Sequence, residues 1–217
     1  SFGLFLGITA LMLGTNYLLF IRARAEGAMR SALRVTEKQR PDIEALVDEC
    51  ARRVGVSSDI RVFIVQSPVL NAYAFGLGQP YSIILHSALI KHLDTNELKS
   101  VIGHEMGHIK FGHTNLLTLV GQLGGQTFGI PLVGDLIRYI FLFWERATEF
   151  SADRAGLIAC GNLDKAISTE LKLGVGPELA AEVDIHELAR TWREEEHNIL
   201  GMLGEMQNTH PMMLTRI

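Results

Sequence analysis

The sequence predicts an α+β fold in which helices dominate and one small β-sheet accompanies them. Long segments place apolar residues at helical spacing, whereas only two short runs, 60–66 and 81–85, are rich in β-branched and aromatic residues. The chain of 217 residues is long enough for one domain with a hydrophobic core of its own. We therefore expect a single mostly helical domain and no separate substrate domain.

The N-terminal segment is the most apolar part of the chain. Residues 2–21 carry no charge and are about as long as the roughly 20 residues that a membrane-spanning helix needs. Arginines follow at Arg22, Arg24, Arg30 and Arg34, which would place the rest of the chain on the cytoplasmic side. Glycines within the segment favour the alternative, a buried or interfacial helix. We divide the chain into residues 1–28, a candidate membrane anchor, and 29–217, the main domain.

The main domain begins with a helix and continues into the sheet. Pro41–Val54 has apolar residues on one face and a proline suited to the first turn of a helix. The two predicted strands follow, separated by residues 71–78, which are rich in glycine. Residues 94–97 then resemble a capping box, which predicts a helix that extends to about His113. From Glu145 to about Gln207 the pattern is again helical, apart from glycine and proline interruptions.

A second apolar stretch covers residues 115–144. Two membrane-spanning helices and a turn need on the order of 40 residues, and this stretch is shorter. We expect two short helices that pack on the core or dip into a membrane face. Association with a membrane could thus involve both residues 2–21 and residues 115–144.

The composition limits the classes of partner and the cellular compartment that we expect for this protein. The net charge of −4 and the pI near 6.1 argue against nucleic acid, which requires clustered Lys and Arg to neutralise phosphates. Cys50 and Cys160 lie far apart and lack the density of a secreted disulfide scaffold. We expect a membrane-associated protein with a cytoplasmic main domain, or else a cytoplasmic protein.

The motif with the clearest chemistry is H-E-x-x-H, formed by His104, Glu105 and His108. Residues four apart lie on one face of a helix, so both imidazoles can reach one metal ion. Glu105 is displaced around the helix toward a water on that ion and can act as the catalytic base. Gly107, inside the motif, is expected to permit close packing of another helix.

A catalytic zinc ion takes three protein ligands and leaves a fourth position open. The best third ligand is Glu149, on another predicted helix, and Asp153 lies one turn later on the same face. A lone E-x-x-x-D pattern usually marks a solvated helix face, but an H-E-x-x-H that lacks a ligand favours the metal site. Asp153 can accept the free N–H of a ligand histidine. We expect one Zn²⁺ per chain.

His113 also follows the motif. On a continuous helix it would lie about 180° around from His104. We therefore expect a structural role for it and not a ligand role.

The sequence resembles the HtpX-like zinc metallopeptidases, a family that also includes the CAAX prenyl proteases. The resemblance covers roughly residues 29–217 and rests on four motifs in family order, at 71–76, 96–113, 145–156 and 209–217. It implies a zincin-like domain with H-E-x-x-H on a central helix and the third ligand on a second helix. The chain departs from HtpX itself in lacking room for a full membrane hairpin between these helices.

By this resemblance His104, His108 and Glu149 are the ligands and Glu105 is the base. His210 and Arg216 would belong to a C-terminal motif near the active site. His210 has three alternative roles: a donor to the oxyanion, a fourth zinc ligand that blocks the open position, or a structural residue of a turn.

The resemblance also implies that Asn71, Ala72, Tyr73 and Ala74 form an edge strand beside the zinc cleft. Such an edge binds extended peptides through main-chain hydrogen bonds. The predicted function is hydrolysis of peptide bonds in misfolded or membrane-associated proteins. Two alternatives remain: a zinc-stabilised binding or chaperone-like module with a latent site, and a CAAX-type processing enzyme.

Overall fold

The computed structural model describes residues 2–57, 59–121, 131–185, 187–188 and 190. The chain divides into two compact units, Ser1–Leu33 and Arg34–Ile217. The first unit is essentially one helix, α1 (Phe2–Met29). Large apolar side chains on it, such as Phe5 and Leu11, are exposed. Within the described ranges we find no helix that could cross a membrane.

The second unit is mostly helical with a small mixed sheet, as the sequence predicted. Its strands are β2 (Ile60–Val65), β3 (Ala72–Phe75) and β4 (Tyr81–His86), with β1 (Leu33–Arg34) at the boundary of the two units. Its helices are α2 (Pro41–Val54), α3 (Ser87–His92), α4 (Thr95–Lys110), α5 (His113–Gly121), α6 (Pro131–Cys160), α7 (Leu163–Val175) and α8 (Pro177–Ala180).

The strands lie in the order β1-β2-β4-β3. β2 runs parallel to β4, with Ile60 opposite Tyr81, and β3 runs antiparallel to β4, with Ala72 opposite Leu85. Residues 81–85 of β4 are all buried, as expected for a strand covered on both faces. Because β3 is last in the order of the described strands, it is an edge strand. It lies against α4.

Helix α4 begins with the capping box that the sequence predicted. The Asp94 carboxylate accepts hydrogen bonds from the backbone N–H groups of Asn96 and Glu97, and the Glu97 side chain accepts from the Asp94 N–H. Glu97 is fully buried and also forms an ion pair with Lys172 of α7, at 2.8 Å. This pairing compensates the cost of burying a carboxylate and ties α7 to the start of α4.

Helices α4 and α6 pack at very short range because small residues line their contact. A Cβ added to Gly107 would lie 2.8 Å from the Ala155 Cβ, and one added to Gly156 would lie 2.8 Å from the Ser100 carbonyl oxygen. Real Cβ atoms do not approach other heavy atoms this closely. The expectation that Gly107 permits close helix packing is confirmed.

Two helix boundaries differ from the prediction. The helix predicted to reach about His113 ends at Lys110, because Gly112 adopts φ 75° and turns the chain before α5 begins. The second half of the apolar stretch is not a short helix, since it belongs to the 30-residue helix α6. Residues 122–130 lie outside the described residues, as does the predicted helical segment beyond residue 190.

Candidate metal centre

The two histidines of the H-E-x-x-H motif face each other on α4. One helical turn separates them, and their Nε2 atoms lie 3.1 Å apart. The His108 side chain is buried, and that of His104 is 16% exposed. The pair thus has one edge that solvent or a ligand can reach.

Helix α6 places Glu149 against both imidazoles. Its carboxylate oxygens lie 3.4 Å from the His108 Nε2 and 3.7 Å from the His104 Nε2. Ligand atoms of the three residues all lie within 4.8 Å of one another. The glycine-lined contact of α4 with α6 makes this approach possible, because it brings the two backbones close together.

Asp153, one turn beyond Glu149, contacts the other ring nitrogen of His104. The His104 Nδ1 lies 2.9 Å from the Asp153 Oδ1. When the Nδ1–H donates to this carboxylate, the Nε2 keeps its lone pair and points toward Glu149. The structure therefore brings together the four residues that the sequence proposed for a metal and its support.

The electrostatic environment of this cluster favours a cation. Burial lowers the pKa of His104, but the hydrogen bond to Asp153 and the charges of Glu105 and Glu149 outweigh it and raise the pKa to about 9. The same negative field that stabilises a proton on His104 would stabilise a divalent metal ion between the ligand atoms.

The donor set and its spacing fit zinc. Two imidazole nitrogens and one carboxylate are a standard ligand set for catalytic zinc, with bonds of about 2.0–2.2 Å. A tetrahedral ion with such bonds separates its ligand atoms by about 3.3 Å. The two imidazole nitrogens lie 3.1 Å apart, and the nearest Glu149 oxygen of each histidine, a different one in each case, lies 3.4 or 3.7 Å away. Three protein ligands would leave one position for water or substrate.

Glu105 lies on the same helix as the two histidines and is buried. Of the residues predicted to bind substrate, Ala72, Tyr73 and Ala74 lie on β3. Asn71 lies immediately before this strand, where its carbonyl accepts from the His86 N–H. Tyr73 of this strand is 40% exposed. His210 and Arg216 lie outside the described residues, so their roles stay predictions.

His113 occupies a different place from the one expected. The turn at Gly112 returns its ring to His108, with ring centroids 5.5 Å apart, and the centroid of the Trp144 ring lies 5.7 Å from that of His113. Burial and the positive charges of neighbouring histidines lower the pKa of His113 to about 4. The prediction that one helix continues to His113 was wrong, because α4 ends at Lys110. His113 is not in the cluster of candidate metal ligands found among the described residues. Gly112 was the signal that the sequence offered.

A cavity that the sequence did not reveal adjoins the site. It has a volume of about 260 Å³, and His104 and Asp153 form part of its wall. Apolar side chains from α6 and α7 line most of the rest, among them Phe150, Leu157, Leu163 and Ile167. The volume is below the roughly 300–1,000 Å³ of a small-molecule site and suits one large side chain.

Comparison with known proteins agrees with this geometry. The chain is 29% identical over 195 residues to the plastoglobule-localized metallopeptidase 48 of Arabidopsis thaliana, covering 84% of this chain and 56% of that protein. It is 33% identical over 120 residues to a protease HtpX homolog of Methanothermobacter thermautotrophicus, covering 55% and 41%. The chain thus spans about half the length of these relatives.

The fold is also found in a solved structure. The crystal structure of S. mikatae Ste24p superposes with a TM-score of 0.56 at 19% identity, covering 94% of this chain and 55% of that one. Residues 37–217 match the model of peptidase family M48. The resemblance to HtpX-like enzymes is thereby confirmed, and the chain belongs to peptidase family M48.

Proposed function

We propose that this chain is a zinc-dependent endopeptidase. The observation that carries the proposal is the convergence of His104, His108 and Glu149, whose ligand atoms lie within 4.8 Å of one another. The hydrogen bond from His104 to Asp153 supports it, because metal-binding histidines are usually oriented in this way. A purely structural zinc site closes all four coordination positions, whereas three candidate ligands converge among the residues that the structure describes.

The proposed roles of the individual residues follow from these positions. Zinc held by the three ligands would acidify a water molecule and polarise the scissile carbonyl. Glu105 accepts the proton of that water and later passes it to the leaving amine. Glu105 is buried on α4, the helix that also carries His104 and His108. We assign His210 the role of hydrogen-bond donor to the oxyanion.

The proposed substrate is an extended polypeptide. β3 is an edge strand against α4, and an edge strand can pair with a peptide through main-chain hydrogen bonds that tolerate many sequences. The cavity beside His104 would hold one apolar side chain of that peptide. Both features favour partly unfolded proteins as substrates, because these expose extended segments and apolar side chains.

The central experiment measures zinc content and casein cleavage of the same preparation, with and without a chelator. We expect zinc at one ion per chain and cleavage that the chelator removes. Glu105→Gln should keep zinc and lose cleavage, because a proton acceptor is removed and no ligand is. Glu178→Gln, the same chemical change at an exposed position of α8, is the matched control and should cleave normally.

The outcomes separate the alternatives. Zinc without cleavage in the unchanged chain would favour a binding module with a latent site. A Glu105→Gln variant that retains its turnover would refute the assigned base. Absence of bound zinc at micromolar free zinc would refute the proposal as a whole.

We further propose that α1 attaches the chain to a membrane with the main domain on the cytoplasmic side. Phe5, Leu11 and Met12 are each more than 60% exposed on this helix, and exposed apolar side chains in such number mark an interaction surface. Truncation before Arg30 should move the protein from the membrane fraction to the soluble fraction. Recovery of the untruncated chain in the soluble fraction without detergent would contradict this attachment.

A further inference from the structure

The two ligand histidines differ in what supports them. His104 has the Asp153 carboxylate at its Nδ1, whereas the Nδ1 of His108 is buried and has no hydrogen-bond partner among the described residues. A histidine that binds metal through Nε2 must carry its proton on Nδ1, so this atom is a buried donor. Such donors are almost always paired in native proteins.

Further unsatisfied atoms lie close by in the chain. Within the described part of the chain, the buried side-chain nitrogens and oxygens that lack a partner are His108 Nδ1, His113 Nδ1 and Thr114 Oγ1. All belong to residues 108–114, where α4 ends and α5 begins. Several unsatisfied polar atoms at one junction are the usual signature of a buried water site, because such a water makes two to four hydrogen bonds.

The position of His113 makes it the natural second partner. Its ring contacts that of His108, with centroids 5.5 Å apart and planes at 69°. Trp144 and Phe111 pack on it, with centroids 5.7 Å away in each case. These contacts hold the His113 ring in place, and the turn at Gly112 directs the chain so that this ring lies against His108 of α4.

We propose that His113 is a positioning residue for His108, linked to it by a buried water that accepts from the His108 Nδ1–H and donates to the His113 Nδ1. His113 thus orients His108 through the water, as Asp153 orients His104 through a direct hydrogen bond. His113 itself does not bind the metal. The inference rests on the proposed metal site, since it assumes that His108 binds through Nε2.

The test compares two substitutions at His113 by zinc affinity, measured in competition with a chromogenic chelator. His113→Phe keeps an aromatic ring in contact with His108 and Trp144 but removes both nitrogens, and it should weaken zinc binding by about 10- to 100-fold. His113→Asn places an amide oxygen near the original Nδ1 and should recover most of that loss. His92→Phe, the same replacement on α3, is the control and should leave the affinity unchanged.

A role limited to ring packing predicts the reverse order, with Phe tolerated and Asn impaired. Wild-type affinity in a folded His113→Phe variant, or equal losses in the Phe and Asn variants, would overturn the inference. In the zinc-loaded wild type, we also expect a slowly exchanging His108 Nδ1–H proton by NMR, absent in His113→Phe. If the wild type binds no zinc, the proposed metal site fails and this inference fails with it; if only the His113 variants disagree, the metal site stands.

Discussion

Replacing Gly107 with alanine tests whether the close contact of α4 with α6 builds the proposed metal site. The new Cβ would lie 2.8 Å from the Ala155 Cβ and 2.9 Å from the Ala152 Cα. Neither atom can rotate away, because both are fixed to the α6 backbone. Since carbon atoms in contact prefer about 3.5–4.0 Å, the helices must separate locally by about 0.7 Å.

Two opposing effects set the change in the free energy of unfolding. Overpacking in a core costs about 1–3 kcal/mol, and replacing glycine by alanine inside a helix returns about 1 kcal/mol. We expect the metal-free variant to be less stable by about 0–2 kcal/mol. The effect on zinc should be clearer, because metal–ligand distances tolerate shifts of only about 0.2 Å. Moving Glu149 away from the histidines should weaken zinc binding by at least about tenfold, or 1.4 kcal/mol.

The assay combines urea denaturation of the metal-free protein with zinc titration against a competing chelator. Gly27→Ala on α1 is the matched control, because a Cβ there meets nothing within 4 Å and only the gain in helix propensity remains. A Gly107→Ala variant that is more stable than the wild type and binds zinc equally well would refute the argument that this contact is at its steric limit.

Three further predictions concern the carboxylates of α6, the buried ion pair of Glu97 with Lys172, and His210. Glu149→Ala should nearly abolish zinc binding at limiting free zinc, whereas Asp153→Ala should weaken it about 10- to 100-fold; full zinc occupancy in the Glu149 variant would remove it from the ligand set. Lys172→Met should lower the free energy of unfolding at pH 7 by about 1.5–3 kcal/mol, the worth of a charged hydrogen bond. Burial raises the pKa of Glu97, but the hydrogen bond from Lys172 and others outweigh it and hold the pKa below the ordinary value of 4.5. The carboxylate's contribution is therefore present above pH 4.5 and lost as the pH falls through the folded-state pKa, so denaturation curves of wild type and variant should converge in acid. His210→Ala should slow peptide cleavage by about 10²- to 10³-fold at normal zinc content; an increase in rate would indicate a blocking ligand, and no change would indicate a structural role.

The sequence by itself determined the features that depend on residues close together in the chain. The spacing of His104 and His108 needs only one helix turn to bring the imidazoles to one face, and the capping box at Asp94 is likewise local. Glu149 could be named because a catalytic site with two histidines needs a third ligand, and the four motifs in order indicated the family. The confirmed α+β class follows from the same local patterns.

Only the tertiary structure decided the features that depend on how helices meet. The distance of Glu149 from the histidines is set by the small residues between α4 and α6, and no local pattern reports an interhelical distance. The cavity beside His104 is lined by side chains of three helices, α4, α6 and α7, and its existence therefore depends on how these helices pack. His113 shows the difference most clearly: a continuous helix would have turned it away from His104, yet the positive φ of Gly112 redirects the chain and places its ring against His108. A positive φ angle, which glycine adopts without strain, cannot be read from the periodicity of side chains, and here it decides what surrounds His108, the second proposed metal ligand.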